Sequence, residues 1–411
     1  MLTLPLPFIL NWIFGLISVA VMAASGYGLW AWHAGKAIAA VWLILAVIGV
    51  IWSLSGRFLV LALFPRGDNE PRRIRRGKKA TLVMRDGTQI YTETEGPEDA
   101  PLLIMTHGWG VDATAWYYQR QYLSSRFRLL FWDLPGLGRS SIPPEHDFQV
   151  ERMVIHLREI IAYVKGEPAI LVGHSIGGMA ILTLFRRFPD LMEGGKITGL
   201  VLIDTTYTRP LKTSTASGVL RLLRKPLIEP LLHLTIWLSP FVWLWSLLSY
   251  LNGMSHIANR IASFGRGVTR GQLDFASWFT IKQNPAVVAR GLLALLKWDE
   301  SATLAQISLP TQVLVGDADR LTCPFASEHI ARTIPQATLV KIAPSGHAGL
   351  LQQGGKYSEA IAQWCSALVS ARPPVQEAAP YPVTADDEGA ASGARANAMP
   401  ASVEGSHPTL H

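Results

Sequence analysis

Apolar and polar positions alternate with different periods in different parts of this chain. Residues 1–35 contain no Asp, Glu, Lys or Arg. The apolar run from Phe8 to Trp30 is long enough for a hydrocarbon core of about 30 Å. Lys36 is the first charge, and Ala37–Gly56 is a second uncharged run, ended by Arg57 with an apolar tail to Phe64. Trp30, Trp32 and Trp52 lie near the run ends, where aromatic rings favour a membrane interface. The pattern predicts a two-span transmembrane hairpin over residues 1–64, connected around Ala31–Lys36. A secretory signal would begin with basic residues, which are missing here, and would not be followed by a second span.

From Ala80 onward, short apolar runs are broken by turn residues. Ala80–Met84 and Gln89–Glu95 flank Arg85-Asp86-Gly87, a hairpin signal. Leu102–Met105, Arg128–Trp132, Ala169–Val172 and Gly199–Ile203 read as strands. Asp112 is placed to cap a helix carrying Trp116, Tyr117 and Tyr118, and a second helix covers Phe148–Val164. The alternation predicts an α/β domain with a mostly parallel sheet covered by helices on both faces. It fails between about 205 and 305, where Leu, Ile, Trp and Phe dominate Pro226–Leu251. Pro226, Pro230, Pro240, Glu229 and His233 argue for a helical insertion over the sheet rather than a third span. The alternation returns at Gln312–Val315, a helix from Pro324, the strand Thr338–Ile342 and a last helix ending near Ser370. Residues 371–411, rich in Ala, Pro, Gly and Ser, have the composition of a disordered tail.

Composition sharpens this picture. The 411 residues are 49% hydrophobic and only 16% charged, too apolar for a purely soluble enzyme. The net charge of +7 is unevenly spread and does not argue for nucleic acid. Arg66, Arg72, Arg73, Arg75, Arg76, Lys78 and Lys79 make residues 65–79 a basic juxtamembrane linker. By the positive-inside rule this cluster predicts a cytoplasmic catalytic domain and N-terminus. It could also hold anionic membrane lipids. Cys323 and Cys365 have no metal-like or C-x-x-C spacing, so both read as reduced packing residues.

Candidate chemistry centres on Gly173-His174-Ser175-Ile176-Gly177, which follows the apolar run Ile170–Val172. A G-x-S-x-G sequence between strand and helix is a nucleophile elbow, in which the turn lifts the serine hydroxyl clear of the sheet. Three further motifs occur in order around it. His107-Gly108-Trp109-Gly110 follows one strand, Asp133-Leu134-Pro135-Gly136-Leu137-Gly138-Arg139-Ser140 the next, and Ser345-Gly346-His347 lies near the end. Together with Gly316-Asp317-Ala318-Asp319, these motifs make residues 80–370 resemble the α/β-hydrolase fold family, in its lid-bearing esterase and lipase branch. The hairpin and tail lie outside that resemblance.

The resemblance implies a triad of Ser175 as nucleophile, His347 as base and Asp319 as the acid that orients it. Asp317 and Asp204 are alternative acids. It also implies an oxyanion hole from the backbone N–H groups of Trp109 and Ile176. His107 reads as a loop organiser, and His174 as a neighbour pointing away from the chemistry. No phosphate loop, metal motif or dinucleotide fingerprint stands out, so no cofactor is expected. The expected activity is cleavage of small-molecule or lipid esters with an apolar acyl group. A perhydrolase, haloperoxidase or carbon–carbon hydrolase using the same triad, and a non-catalytic membrane-bound module, are the alternatives.

Overall fold

The computed structural model describes residues 5–164 and 167–371. Most of the tail expected from residue 371 falls on residues 372–411, outside the described residues. Eight strands form one sheet: β1 (Lys78–Val83), β2 (Gln89–Glu95), β3 (Leu102–Thr106), β4 (Arg128–Trp132), β5 (Ala169–His174), β6 (Ile197–Ile203), β7 (Thr311–Gly316) and β8 (Ala337–Ile342). Their order across the sheet is β1-β2-β4-β3-β5-β6-β7-β8. The pair β1–β2 and the pair β2–β4 are antiparallel; every pairing from β4 to β8 is parallel.

The central strands are buried on both faces, which is why they read as continuous apolar runs rather than alternating ones. Their side chains still divide with a period of two. Leu102, Ile104, Leu171, Leu200 and Leu202 enter one core, and Leu103, Met105, Ile170, Val172, Val201 and Ile203 the other. Register aligns Thr106 with Gly173, and His174 with Ile203. The loops after β3, β5, β6 and β7 therefore leave the sheet at one carboxyl edge.

The expected pair of spans is only partly realised. Helix α1 (Pro5–His33) contains a 27-residue apolar stretch, Pro7–His33, long enough to cross a membrane. Helix α2 (Ala40–Ser55) has only 16 residues, about 24 Å at 1.5 Å per residue, short of a ~30 Å core. The predicted Ala37 start is lost because Ala39 is extended rather than helical. At the other end Gly56 packs against Asn252 O, 2.7 Å from where its Cβ would be, before the short helix α3 (Arg57–Ala62) begins. Among the described residues, α1 alone passes as a single straight span.

Nor is α1 separate from the domain. Its buried positions Phe8, Asn11, Trp12, Gly15 and Ser18 recur at helical spacing, and they face the insertion between β6 and β7. Trp12 donates from Nε1 to Thr235 Oγ1 at 3.0 Å and meets the Trp245 ring edge-on at 4.5 Å. Asn11 donates to Ser246 Oγ at 3.3 Å, and Ser18 Oγ accepts from Asn252 at 2.7 Å. At Gly15 an added Cβ would sit 2.6 Å from the Trp245 ring, so glycine is what lets the two helices approach.

The insertion itself is helical. Residues Ser217–Trp237 and Ser239–Leu251 meet at a 100° bend, so Pro226–Leu251 is not one straight rod. Its tryptophans divide: Trp237 is 79% exposed and Trp243 42%, whereas Trp245 is buried against α1. The basic linker is also not uniformly free. Arg75 is buried between Glu93, Asp112 and Asp133, and Arg73 pairs with Asp274. Arg66, Arg72, Arg76, Lys78 and Lys79 remain exposed.

Candidate active site

Ser175 stands between β5 and the elbow helix (Ile176–Arg187) with φ 54° and ψ −116°. A positive φ is costly for a residue with a Cβ and persists only where the surroundings hold it. Here the surroundings are crowded. A Cβ on Gly173 would collide with the Gly177 backbone, and one on Gly177 with Thr106 O. Thr205, just after β6, donates from Oγ1 to Ser175 O at 2.7 Å and packs against Gly178. The two elbow glycines thus allow the close approach, and Thr205 braces it from the next strand.

Three sequence-distant side chains meet at this edge. His347 Nε2 is 3.0 Å from Ser175 Oγ, and His347 Nδ1 is 2.8 Å from Asp319 Oδ2. With Nδ1–H donating to the carboxylate, Nε2 is left to accept the serine proton. Asp319 also accepts from the backbone amides of Leu321 and Thr322 at 2.7 and 3.0 Å, and from Thr322 Oγ1 at 2.8 Å. All three members are nearly fully buried. A hydroxyl, an imidazole and a fixed carboxylate in this order can move a proton off the hydroxyl and hold the resulting cation.

The other candidate acids are occupied differently. Asp317 is exposed and accepts from Ser345 N at 2.8 Å, tying the two loops together. Asp204 accepts from Gly316 N at 2.8 Å and from the Tyr357 hydroxyl at 3.0 Å. Burial, reinforced by the Asp319 charge, holds its carboxyl well above the usual carboxylate range.

The His107–Gly110 loop closes over the serine. A Cβ on Gly108 would lie 2.8 Å from His174 Nδ1 and 3.4 Å from Ser175 Cβ. His107 accepts from Leu134 N at its Nε2 (3.0 Å) and donates from Nδ1 to Gly108 O (2.7 Å), linking the loops after β3 and β4. Burial pushes this imidazole down to about 4. His174 turns from the serine to His347 O at 3.0 Å, and burial together with His347 pushes it down to about 3. Ile176 opens the elbow helix, in the first turn, whose amides lack intrahelical partners. Trp109 is wedged against Gly291, and its ring donates to Val288 O at 3.0 Å.

Behind this loop lies a buried ionic cluster. Arg75 Nη2 is 2.8 Å from Asp133 and 3.2 Å from Asp112, and Lys282 also pairs with Asp112. Burial would raise the Asp112 carboxyl, but Lys282 and Arg75 overcome it and hold Asp112 ionised. Burial, with the Asp112 charge beside it, pushes Asp133 up to about 6. Through Asp112, which caps the turn Ala113–Trp116, a linker arginine fixes the loop that carries Trp109.

Thr205, Thr322, Tyr357 and Arg75 were not legible as site residues. Threonine and tyrosine carry no motif, and Arg75 read as one of a run of surface cations.

Known proteins share this fold. A family model described as the alpha/beta hydrolase family matches residues 103–360. A pimeloyl-[acyl-carrier protein] methyl ester esterase of Nitrosomonas europaea is 28% identical over 263 residues, 64% of this chain and 94% of that protein. A thermophilic esterase from Thermogutta terrifontis, 24% identical, superposes with a TM-score of 0.53 over 72% of this chain and 99% of its own. A membrane phospholipase A, 19% identical, does so with a TM-score of 0.56 over 72% of this chain and 88% of its own. The chain belongs to the alpha/beta hydrolase family.

Proposed function

We propose that this protein is a membrane-anchored serine hydrolase that cleaves carboxylic esters of apolar acyl groups through an acyl-enzyme on Ser175. The observation that carries the reading is the unbroken relay from Asp319 through His347 to Ser175, at 2.8 and 3.0 Å. Ser175 Oγ attacks the ester carbonyl carbon as its proton passes to His347 Nε2. The carbonyl electron pair moves onto oxygen, where the N–H groups of Trp109 and Ile176 stabilise it. Collapse breaks the carbon–oxygen bond to the alcohol, which leaves with the proton from His347. Water then repeats the sequence on the acyl-enzyme and regenerates Ser175.

Two features support the substrate class and the anchor. The insertion over residues 205–305 serves as the lid, and between its own helices and α1 lies a small apolar cavity lined by Phe8, Leu211, Ile228, Leu232, Leu292 and Leu295, among others. Its walls match an acyl chain. Helix α1 carries the apolar length for a membrane anchor, and the basic linker after it argues for a cytoplasmic catalytic domain. The test is labelling of the full-length protein by a fluorophosphonate, with hydrolysis of 4-nitrophenyl octanoate measured alongside. Both are expected in the wild type and neither in Ser175→Ala; equal labelling of the two proteins would refute the nucleophile.

A further inference from the structure

The loop that carries the proposed oxyanion donor, Trp109, is gripped from outside the sheet at two places. At Trp109 itself the ring donates to Val288 O at 3.0 Å, and a Cβ on Gly291 would collide with it. Both partners lie on the lid helix Pro285–Leu295. At Asp112 the carboxylate pairs with Lys282, the last residue of the lid helix Arg270–Lys282. It also pairs with Arg75 Nη2 at 3.2 Å, and Arg75 comes from the linker before β1. What these two cations hold together is a pair of carboxylates. Asp112 accepts from Thr114 N at 2.8 Å. Asp133 accepts from Ala113 N and from Arg139 N, each at 2.8 Å, which staples the loop after β3 to the loop after β4. Both carboxylates are fully buried. Buried like charges repel unless a cation lies between them. Arg75 Nη2 touches both, and its Nη1 is 3.2 Å from Glu93. Without Lys282, Arg75 alone is shared among Asp112, Asp133 and Glu93, the last of which also pairs with Arg120.

We propose that Lys282 and Arg75 are positioning residues for the oxyanion hole: by neutralising Asp112 they hold the turn that sets the main chain at Trp109, so that lid and linker complete the site as well as cover and tether it. Oxyanion stabilisation depends on donors being aimed in advance at the developing charge, and small misplacements of such groups are costly in rate. The two grips act on one short stretch. The Trp109 ring fixes it to the lid on one side, and the Asp112 ion pairs fix it to lid and linker on the other. Shifting the lid without breaking these contacts would carry the Trp109 N–H with it.

This inference rests on the ester-hydrolase reading. Its test measures 4-nitrophenyl octanoate turnover by the full-length protein in detergent, per active site, with sites counted from the end point of fluorophosphonate labelling. A substitution that only destabilises the fold lowers the number of sites and leaves the rate per site. The Lys282 side chain is 30% exposed against 7% for Arg75, so Lys282→Met is the gentler change and decides the matter even where Arg75→Met does not fold. Lys282→Met is expected to lower kcat per site about tenfold with KM within about twofold, and Arg75→Met to lower it about a hundredfold. Lys282→Arg keeps a cation at Asp112 and should restore at least half of the wild-type rate. Arg76→Met, at the exposed neighbouring position, should turn over like the wild type. Octyl trifluoromethyl ketone reports on the oxyanion directly: Ser175 Oγ adds to its carbonyl carbon, the hydroxyl proton passes to His347, and the carbonyl electron pair moves onto oxygen. Its affinity should fall in Lys282→Met by the same factor as kcat/KM, while that of octyl methyl ketone, which stays trigonal, should not change. Wild-type kcat per site in Lys282→Met would overturn the proposal. So would a loss that Lys282→Arg fails to restore, or a loss without weaker binding of the trifluoromethyl ketone, since either makes Lys282 a packing residue. A wild type that takes no label and turns over no ester would remove the ester reading and this inference together, whereas full activity in both the wild type and Lys282→Met would remove this inference alone.

Discussion

Two buried polar assemblies lie a short way apart under the same lid, and they are finished to different degrees. At the carboxyl edge of the sheet, Ser175, His347 and Asp319 are bonded in series, and Asp319 is saturated by three further donors. Between α1 and the lid, Trp12, Ser18 and Thr235 are bonded, but Asn11, Thr280 and Gln283 each keep an unpaired atom. The first assembly is set before any ligand arrives. Preorganisation of that kind lowers a barrier, because nothing need reorient during reaction. The second is set only in part: Asn11, Thr280 and Gln283 each bury one polar atom without a partner, a cost that the packing of α1 on the insertion has to offset.

Removing a finished contact costs the most. Ser175→Ala and His347→Ala are each expected to lower kcat on 4-nitrophenyl octanoate by about 10⁴-fold or more, read by steady-state kinetics on purified protein. Double substitution should add little, since the two act as a unit. Retention of a tenth of the wild-type rate by either variant would dissolve the triad.

The acids separate next. Asp319→Asn should cost about 10²- to 10⁴-fold in kcat, because the amide no longer fixes the imidazole tautomer or balances its cation. Asp204→Asn should cost only a few-fold. Burial and the Asp319 charge push its carboxyl well above the usual carboxylate range, and an asparagine can keep the bonds to Gly316 and Tyr357. The same residue gives a pH signature. A carboxyl raised in the folded state stabilises the fold fully below its unfolded pKa, and that stability is lost as pH rises towards the folded value. The melting temperature of Asp204→Asn should therefore gain on the wild type as pH rises from about 4 to 8. A constant difference across that range would mean Asp204 is already ionised.

At the α1–lid contact, Trp12→Ala removes a buried ring packed on Trp245 and a hydrogen bond to Thr235. The expected loss is about 3–5 kcal/mol of local stability, read as faster proteolysis within the lid and a lower melting temperature. If the proteolysis pattern is unchanged, α1 does not hold the lid. For the same reason, deleting residues 1–64 would expose Trp245 and disturb the lid itself, so loss of the anchor is better tested by point substitution.

How far each assembly could be read from the chain follows from where its partners lie. The edge around Ser175 was legible because its parts sit in local patterns that turn geometry demands: glycines around Ser175, a strand end before His107, an acid loop after β7. The resemblance alone favours Asp319 over Asp317 and Asp204; the folded loops bring Asp319 within 2.8 Å of His347. The second assembly was not legible. Asn11, Gly15 and Ser18 look like tolerated interruptions of an apolar run, and their partners Ser246, Trp245 and Asn252 lie more than 200 residues away. The division between Trp245, turned inward, and Trp243, half exposed, likewise depends on where α1 docks. The second span failed for a local reason that composition hides: the helix begins three residues late and breaks at Gly56.

The smallest effect tests what the shortened hairpin implies for the anchor. The bonds from α1 to the lid run from Asn11 to Ser18, so at most Val19–His33 stands clear of the domain. At 1.5 Å per residue those fifteen residues reach about 22 Å, and α2 reaches about 24 Å. Neither length crosses a ~30 Å core unless the domain itself sinks into the headgroup layer. The lid has a surface for that. Trp237 is 79% exposed, Leu222 77% and Phe241 64%, and the helix that carries Phe241 is the one bonded to α1 through Ser246. Large exposed apolar groups of this kind mark contact surfaces, and aromatic rings favour the interfacial layer. Trp237→Ser touches no buried partner, so it should change stability by no more than about 0.5 kcal/mol and leave 4-nitrophenyl octanoate turnover in detergent unaltered. It should slow hydrolysis of an ester embedded in phosphatidylcholine vesicles several-fold, because the domain would ride higher above the acyl chains. Equal loss in detergent and in vesicles would assign Trp237 to the acyl pocket, and no loss in either would leave the lid clear of the lipid.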